Sequence, residues 1–457
     1  MSDKVKVIGA GLAGVEAAWQ LSKAGIGVEL YEMKPKKYSP AHKYKGFAEL
    51  VCSNSLKADR VDSAAGMLKE EMRKLGSLTM LAAQASRVSA GGALAVDRTQ
   101  FSDLITEKIK NQPNITVVEE EVTSIPDGDV IIATGPLTSD ALAEDIGRLC
   151  GEYLYFHDAA APIVTYESLD KDKVFFASRY GKGEADYINC PMNKDEYLRF
   201  YNELINAESA ELKEFDKQHF AKDGFKVYEG CMPVEVLAKR GEDTMRFGPL
   251  KPVGLTDPHT GSRPYAVVQL RAENTAGTLY NLVGFQTNLK FGEQKRVFSM
   301  IPALHDAEYV KYGVMHRNTF INSPELLDDT YNLKGTNTFF AGQISGVEGY
   351  VESISSGFVA ALNACSLYNK ENGKDTNILK QNVNKIETAI LNGEKVIFDT
   401  STIIGALANY ISTEHEDFQP MNANFGLFNT EEVFKSKKDK YDFYVNRAIE
   451  NIKSMVE

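Results

Sequence analysis

Five cysteines are spread over 457 residues (Cys52, Cys150, Cys190, Cys231 and Cys365), with no CxxC pair and no His/Cys grouping at metal-ligand spacing. That scatter excludes a disulfide framework, a mechanism built on neighbouring redox cysteines and a structural zinc, so no metal is expected. No run approaches the roughly 18 apolar residues that span a bilayer. The N-terminus enters an apolar strand directly, without a signal-type cleavage region. These absences predict a cytoplasmic protein with no membrane partner. An excess of positive charge is missing as well: 51 Lys and Arg face 63 Asp and Glu, a formal net charge of -12. A nucleic-acid binder that relies on bulk positive charge would show the opposite sign. A local basic surface can still be embedded in an acidic chain. Residues 34–60 hold Lys34, Lys36, Lys37, Lys43, Lys45, Lys57 and Arg60 against only Glu49 and Asp59.

What is present is ordinary globular material, 43% hydrophobic and 25% charged. At about 150 residues per domain the length predicts two or three domains. The chain opens with the apolar strand Val5-Lys6-Val7-Ile8, the turn Gly9-Ala10-Gly11-Leu12-Ala13-Gly14, a helix through Val15 to Leu21, and a second strand from Gly27 to Tyr31 that ends at Glu32. A GxGxxG alone is a glycine-rich turn. Between a strand and a helix, with an acid 18 positions after Gly14, it is a dinucleotide fingerprint. Gly9 permits the tight turn, Gly11 lets backbone amides approach a pyrophosphate, Gly14 lets helix and sheet pack, and Glu32 accepts from the ribose hydroxyls.

FAD and NAD share this opening. The strand Asp129 to Ile132 with its turn Ala133-Thr134-Gly135, and the distant strand Thr338 to Phe340 followed by Ala341-Gly342-Gln343, Gly346, Gly349 and Tyr350, supply the second strand end that a long, permanently bound FAD needs. The competing reading is a buried Rossmann strand with a small-residue turn. A helix running from Val351 through Ser356 to Ala361 aims its N-terminus at the flavin pyrimidine edge. Sheet strands so distant in sequence predict an α/β fold: a Rossmann-like FAD-binding domain from residues 1–150 and 330–457, the latter with C-terminal helices, interrupted by an inserted α+β domain at 151–329. Chemistry at sulfur falls to single thiols. Cys52 and Cys231 sit in polar, turn-like settings beside charges, whereas Cys150, Cys190 and Cys365 read as small buried hydrophobes.

Seven blocks together resemble one family: Gly9 to Gly14, Phe47 to Ser55, Gly91 to Arg98, Ala133 to Ser139, Gly230 to Val236, Gly284 to Leu289, and Gly342-Gln343-Ile344-Ser345-Gly346-Val347-Glu348-Gly349-Tyr350. They are similar to the TrmFO (formerly Gid) family of FAD- and folate-dependent tRNA uracil-5-methyltransferases, whose FAD-binding domain is of the GidA type. The resemblance implies that 5,10-methylenetetrahydrofolate donates a one-carbon unit, that FAD carries and reduces it with electrons from NADPH or NADH, and that the product is 5-methyluridine in the T loop of tRNA. By motif position, Cys231 is the nucleophile that adds to C6 of uracil and Cys52 the base that removes the C5 proton. The cofactor-binding set is Gly9 to Gly14, Glu32, Ala133 to Gly135, Gly342, Gln343, Gly346, Val347, Gly349 and Tyr350, with His316 in Tyr312-Gly313-Val314-Met315-His316-Arg317-Asn318 on the folate. Lys239, Arg240, Lys290, Lys295 and Arg296 join the basic segment as candidate phosphate contacts. Lys57 stands where relatives carry arginine. The same chemistry on 23S ribosomal RNA and an FAD-dependent oxidation of a small molecule are the alternatives. No DNA and no obligate protein partner are expected.

Overall fold

The computed structural model describes residues 4–151, 154–181, 184–210, 232–372, 384–428 and 430–457, with backbone alone for 154–158 and 316–317. Cys231 lies outside the described residues. The opening folds as its pattern dictates: strand β1 (Lys4–Ile8), helix α1 (Leu12–Lys23) and strand β2 (Gly27–Tyr31). With β3 (Ile115–Val118), β4 (Val130–Ile132) and β5 (Thr338–Phe340) they build a five-stranded parallel sheet of order β5-β4-β1-β2-β3. Val5, Val7, Val28, Leu30, Ile131 and Ile132 are fully buried, as expected for parallel strands covered on both faces.

Helix α1 and the long helix Tyr350–Asn372 both pack on this sheet and on each other. They cross at a glycine: a Cβ on Gly357 would lie 2.2 Å from the Ala13 carbonyl oxygen. A second helix, α2 (Ala64–Lys74), is capped by the Ser63 hydroxyl, which accepts from the Gly66 N–H. Its Glu71 carboxylate accepts from the Ile403 and Ile404 N–H groups at 2.8 and 3.0 Å. It thereby caps the helix Ile403–Ser412 from outside that helix.

A second core, running from Ala161 to Ala307, forms under a six-stranded antiparallel sheet. In sheet order its strands are Phe175–Phe176, Tyr187–Met192, Ala266–Ala272, Leu279–Leu282, Ile163–Thr165 and Tyr309–Lys311. The chain enters and leaves this body through one antiparallel ribbon, Leu154–Ala159 against Met315–Phe320, which places His316 opposite Asp158. Cys190 and Cys365 are fully buried in the two cores. Cys150 is half-buried, and burial pushes its thiol up to about 11. Among the described residues no helix is long and apolar enough to cross a membrane, and no group of His, Cys, Asp and Glu is placed to hold a metal.

Candidate active site

The β1 turn sits hard against the β4 turn. Gly9 has φ +99°, and a Cβ there would come within 2.7 Å of the Ala133 carbonyl oxygen, so both the conformation and the space require glycine. Gly11 caps α1 without a side chain, and a Cβ on it would meet nothing within 4 Å. The first amides of α1 therefore face open space, the arrangement that takes a phosphate. Glu32 is 7% exposed; its carboxylate accepts from the Ala10 N–H at 2.9 Å and the Lys34 N–H at 3.0 Å. It staples the glycine loop, and each oxygen keeps a lone pair for a ribose hydroxyl.

At the far end, the Gly342 N–H donates to the Ser356 hydroxyl at 2.7 Å, and Gln343 Nε2 donates to Glu348 at 2.7 Å. Gly349 has φ +123°, and a Cβ there would lie 2.2 Å from Glu352 Oε2, so the turn into the long helix admits only glycine. A cavity joins the two ends. Of the expected cofactor residues, Gly9 to Ala13, Glu32, Ala133 to Gly135, Gly342, Gln343 and Tyr350 line it. Gly14, Gly346, Val347 and Gly349 stand behind the wall and shape it. Gly14 packs on the Gly9 carbonyl and Gly346 against the Phe418 ring, while Val347 bridges to Met421.

One further lining residue tests whether a cofactor fits. Asn318 is 1% exposed, and among the described residues nothing donates to its Oδ1. A buried amide oxygen without a partner costs about 1–3 kcal/mol, so this wall is built to receive a ligand's N–H or O–H. The backbone of His316 lies two residues earlier on the same ribbon strand; its side chain is outside the described atoms.

Cys52 opens on the same cavity. Its loop is held from every side. The Tyr350 hydroxyl accepts from the Cys52 and Ser53 N–H groups at 2.9 and 3.1 Å. Arg98 donates to the Leu50 and Val51 carbonyls at 2.5 and 3.1 Å and to Glu273 at 2.6 Å. Lys311 Nζ donates to the Val51 carbonyl at 3.0 Å. Arg271 donates to Ser53 Oγ at 2.7 Å and Asn54 Oδ1 at 3.0 Å. Burial pulls the Lys311 ammonium below its ordinary range and Arg98 adds to that, while Cys52 favours the charged form. Burial, with Cys52 adding to it, drives the Tyr350 phenol far above its ordinary value, so it stays protonated. Arg98, Arg271, Glu273 and Lys311 are the site residues that sequence reasoning passed over. The available signal was Arg271 and Glu273, two charges at alternate positions at the end of an apolar strand.

The basic surface is smaller than the sequence suggests. Lys34 is 5% exposed, donates to the Tyr44 and Gly46 carbonyls at 3.2 and 2.6 Å, and pairs with Glu49. It is a structural cation. Lys37 pairs with Glu121, Lys57 with Glu352, Lys290 with Glu208, and Arg296 with Glu293 and Glu203. Lys36, Lys43, Lys45, Arg60, Lys239, Arg240 and Lys295 are exposed.

The family model described as glucose inhibited division protein A matches residues 4–372. A protein of Bacillus licheniformis named methylenetetrahydrofolate--tRNA-(uracil-5-)-methyltransferase TrmFO is 57% identical over 459 residues, covering 100% of this chain and 99% of its own. Proteins of the same name from Acetivibrio thermocellus and Listeria monocytogenes are 59% and 56% identical, covering 93% and 100% of this chain and 92% and 100% of their own. Among solved structures, Aquifex aeolicus GidA in its form II crystal is similar in fold, with a TM-score of 0.67 at 14% identity, covering 99% of this chain and 73% of that one.

Proposed function

We infer the reaction from one premise: this chain belongs to the TrmFO family. Its function is the folate-dependent methylation of uracil C5 in tRNA. The observation that carries this reading to the residues is that Cys52 opens on the cavity of the phosphate loop, with Arg98 and Lys311 beside it. Cations beside a thiol favour the thiolate.

FAD occupies the cavity, with its pyrophosphate on the α1 amides and its adenosine ribose on Glu32. Residues 1–150 and 330–457 bind it, and the insertion at 151–329 presents folate and RNA. Reduced by NADPH or NADH, FAD supplies the carrier and redox chemistry that turns the one-carbon unit of 5,10-methylenetetrahydrofolate into a methyl group. The protein's part is to make C5 nucleophilic. The Cys231 thiolate adds to C6, and the electron pair of the C5=C6 bond moves into an enolate whose C5 bonds to the electrophilic one-carbon unit. Cys52 then takes the C5 proton, and the freed electron pair forms an exocyclic methylene as the nitrogen carrying the one-carbon unit leaves. Once that methylene has taken the hydride that reduced FAD would supply, expulsion of the Cys231 thiolate restores the C5=C6 bond. Tyr350, Arg98 and Lys311 hold the Cys52 loop so that its sulfur faces the cavity, Asn318 accepts a hydrogen bond from the cofactor, and His316 stacks on the folate pterin. The target is the T-loop uridine.

The test is methylation in vitro with FAD, NADPH and methylenetetrahydrofolate, on tRNA and on ribosomal RNA lacking 5-methyluridine. Wild type should methylate tRNA, and Cys231→Ala and Cys52→Ala should not while retaining bound flavin. Methylation of ribosomal RNA alone would move the target. Absence of 5-methyluridine from both RNAs would overturn the reading in favour of a small-molecule flavoenzyme.

A further inference from the structure

Three aromatic rings stack in a row on the antiparallel-sheet body. Phe291 lies 4.9 Å from Tyr312 at an interplanar angle of 18°, and Tyr312 lies 5.3 Å from Tyr309 at 10°. The inner ring is half-buried with its hydroxyl out of water, and burial, with Tyr312 adding to it, drives the Tyr309 phenol up. The outer ring, Phe291, is 55% exposed. It is the first residue of the helix Phe291–Phe298, so its position is fixed by a regular element. The row leads inward: Lys311, between the two tyrosines in sequence, reaches the Val51 carbonyl next to Cys52.

A large apolar ring left in water at the end of a built stack calls for an occupant. None of the three rings lines the cavity that holds the phosphate loop and Cys52. On the proposed reading FAD takes that cavity, and a ring outside it is open to the macromolecular substrate. Most of the charge around this ring is neutralised, because Lys290 is paired with Glu208, and Arg296 with Glu293 and Glu203, while Lys295 stands exposed one turn along the helix from Phe291. What it offers is a π-face. Unpaired bases in RNA loops are commonly bound by stacking on aromatic side chains.

We propose that Phe291 is a stacking platform for an unpaired base of the tRNA substrate beside the target uridine, with Tyr312 and Tyr309 as its rigid backing. The inference rests on the reading of the chain as a tRNA methyltransferase. A base on Phe291 extends the row by one plane. The backing rings keep Phe291 from rotating away, so little side-chain freedom is lost on binding.

The test compares wild type with Phe291→Ala and Phe291→Trp, reading methylation of tRNA, the Kd for the same tRNA, the KM for methylenetetrahydrofolate and the rate of flavin reduction by NADPH. Phe291→Ala should raise the RNA Kd about five- to hundredfold, the range seen when one stacked base is lost. Flavin reduction and the folate KM should stay at wild-type values. The slope of log Kd against log salt should also be unchanged, because a lost stack releases no counterions. Phe291→Trp should bind RNA as tightly as wild type, and its added indole should be quenched by RNA beyond any change in Trp19. An unchanged Kd in Phe291→Ala overturns the proposal, as does a loss that falls on the folate KM, which would assign the ring to the folate. A wild-type protein that methylates no tRNA overturns the underlying reading instead.

Discussion

The loop around Cys52 brings together residues that local pattern could not. Arg271 reaches Asn54 across 217 positions and Lys311 reaches Val51 across 260. The glycine fingerprint was legible because its meaning is carried by neighbours: a strand, a turn, a helix and an acid within 30 residues. Nothing local distinguishes Lys311 from a solvated lysine. Its role follows only from the fold, which places it beside a thiol and Arg98. Attraction between Lys311 and a Cys52 thiolate is reciprocal, so removing the cation makes the thiolate harder to form. In Lys311→Met the acid limb of the pH dependence of methylation should move to higher pH, with flavin content unchanged. An acid limb that stays in place would show that the Lys311 charge does not act on the reacting thiol.

Helix α2 shows how an element can be read for its pattern and not for its charges. Lys69 and Glu71, both fully buried, look in the sequence like ordinary helix-surface residues. The two point to different neighbours. Glu71 caps a helix more than 300 residues away, and Lys69 donates to the Ala65 carbonyl at 2.8 Å with Glu352 and Asp59 nearby. Burial, outweighing those carboxylates, pulls the Lys69 ammonium down to about 8 from 10.5. Between those two pH values the unfolded chain holds the proton and the native protein does not, so stability from this group rises with pH. It is fully present above 10.5 and lost as pH falls through 8. Chemical denaturation of wild type and Lys69→Met across that window should show wild type gaining on the variant, by as much as about 3 kcal/mol at 1.36 kcal/mol per pH unit. A constant difference would show that Lys69 stays charged.

At the scale of the whole molecule, two cores meet along a seam that includes the Cys52 loop, the Ala90–Gly91 turn against Asp186 and Tyr187, and Asp97 and Gln100 against Thr275. A single antiparallel ribbon carries the chain between them, and a ribbon of two strands is a weak constraint on its own. Arg271, Glu273 and Lys311 come from the antiparallel-sheet body and close on Ser53, Asn54, Arg98 and Val51 of the other, so the Cys52 loop is one of the clamps between the bodies. Placing the Cys52 thiol at the joint ties its position to the placement of the antiparallel-sheet body. The parallel sheet was readable from strands distant in sequence, whereas the clamp was not, because it consists of charges that find each other only in the folded chain. Arg271 is 8% exposed and serves two acceptors on the loop. Arg271→Met preserves much of its apolar volume and leaves Ser53 Oγ and Asn54 Oδ1 without that donor. Hydrogen exchange should then quicken at the amides of Cys52 and Ser53, while those of β1 and β2 keep wild-type protection, because the parallel sheet does not depend on the clamp. Methylation should fall with flavin content unchanged. Equal protection of the Cys52 loop in both proteins would show that Tyr350 and Arg98 hold it unaided, and that the two bodies meet at this loop without depending on Arg271.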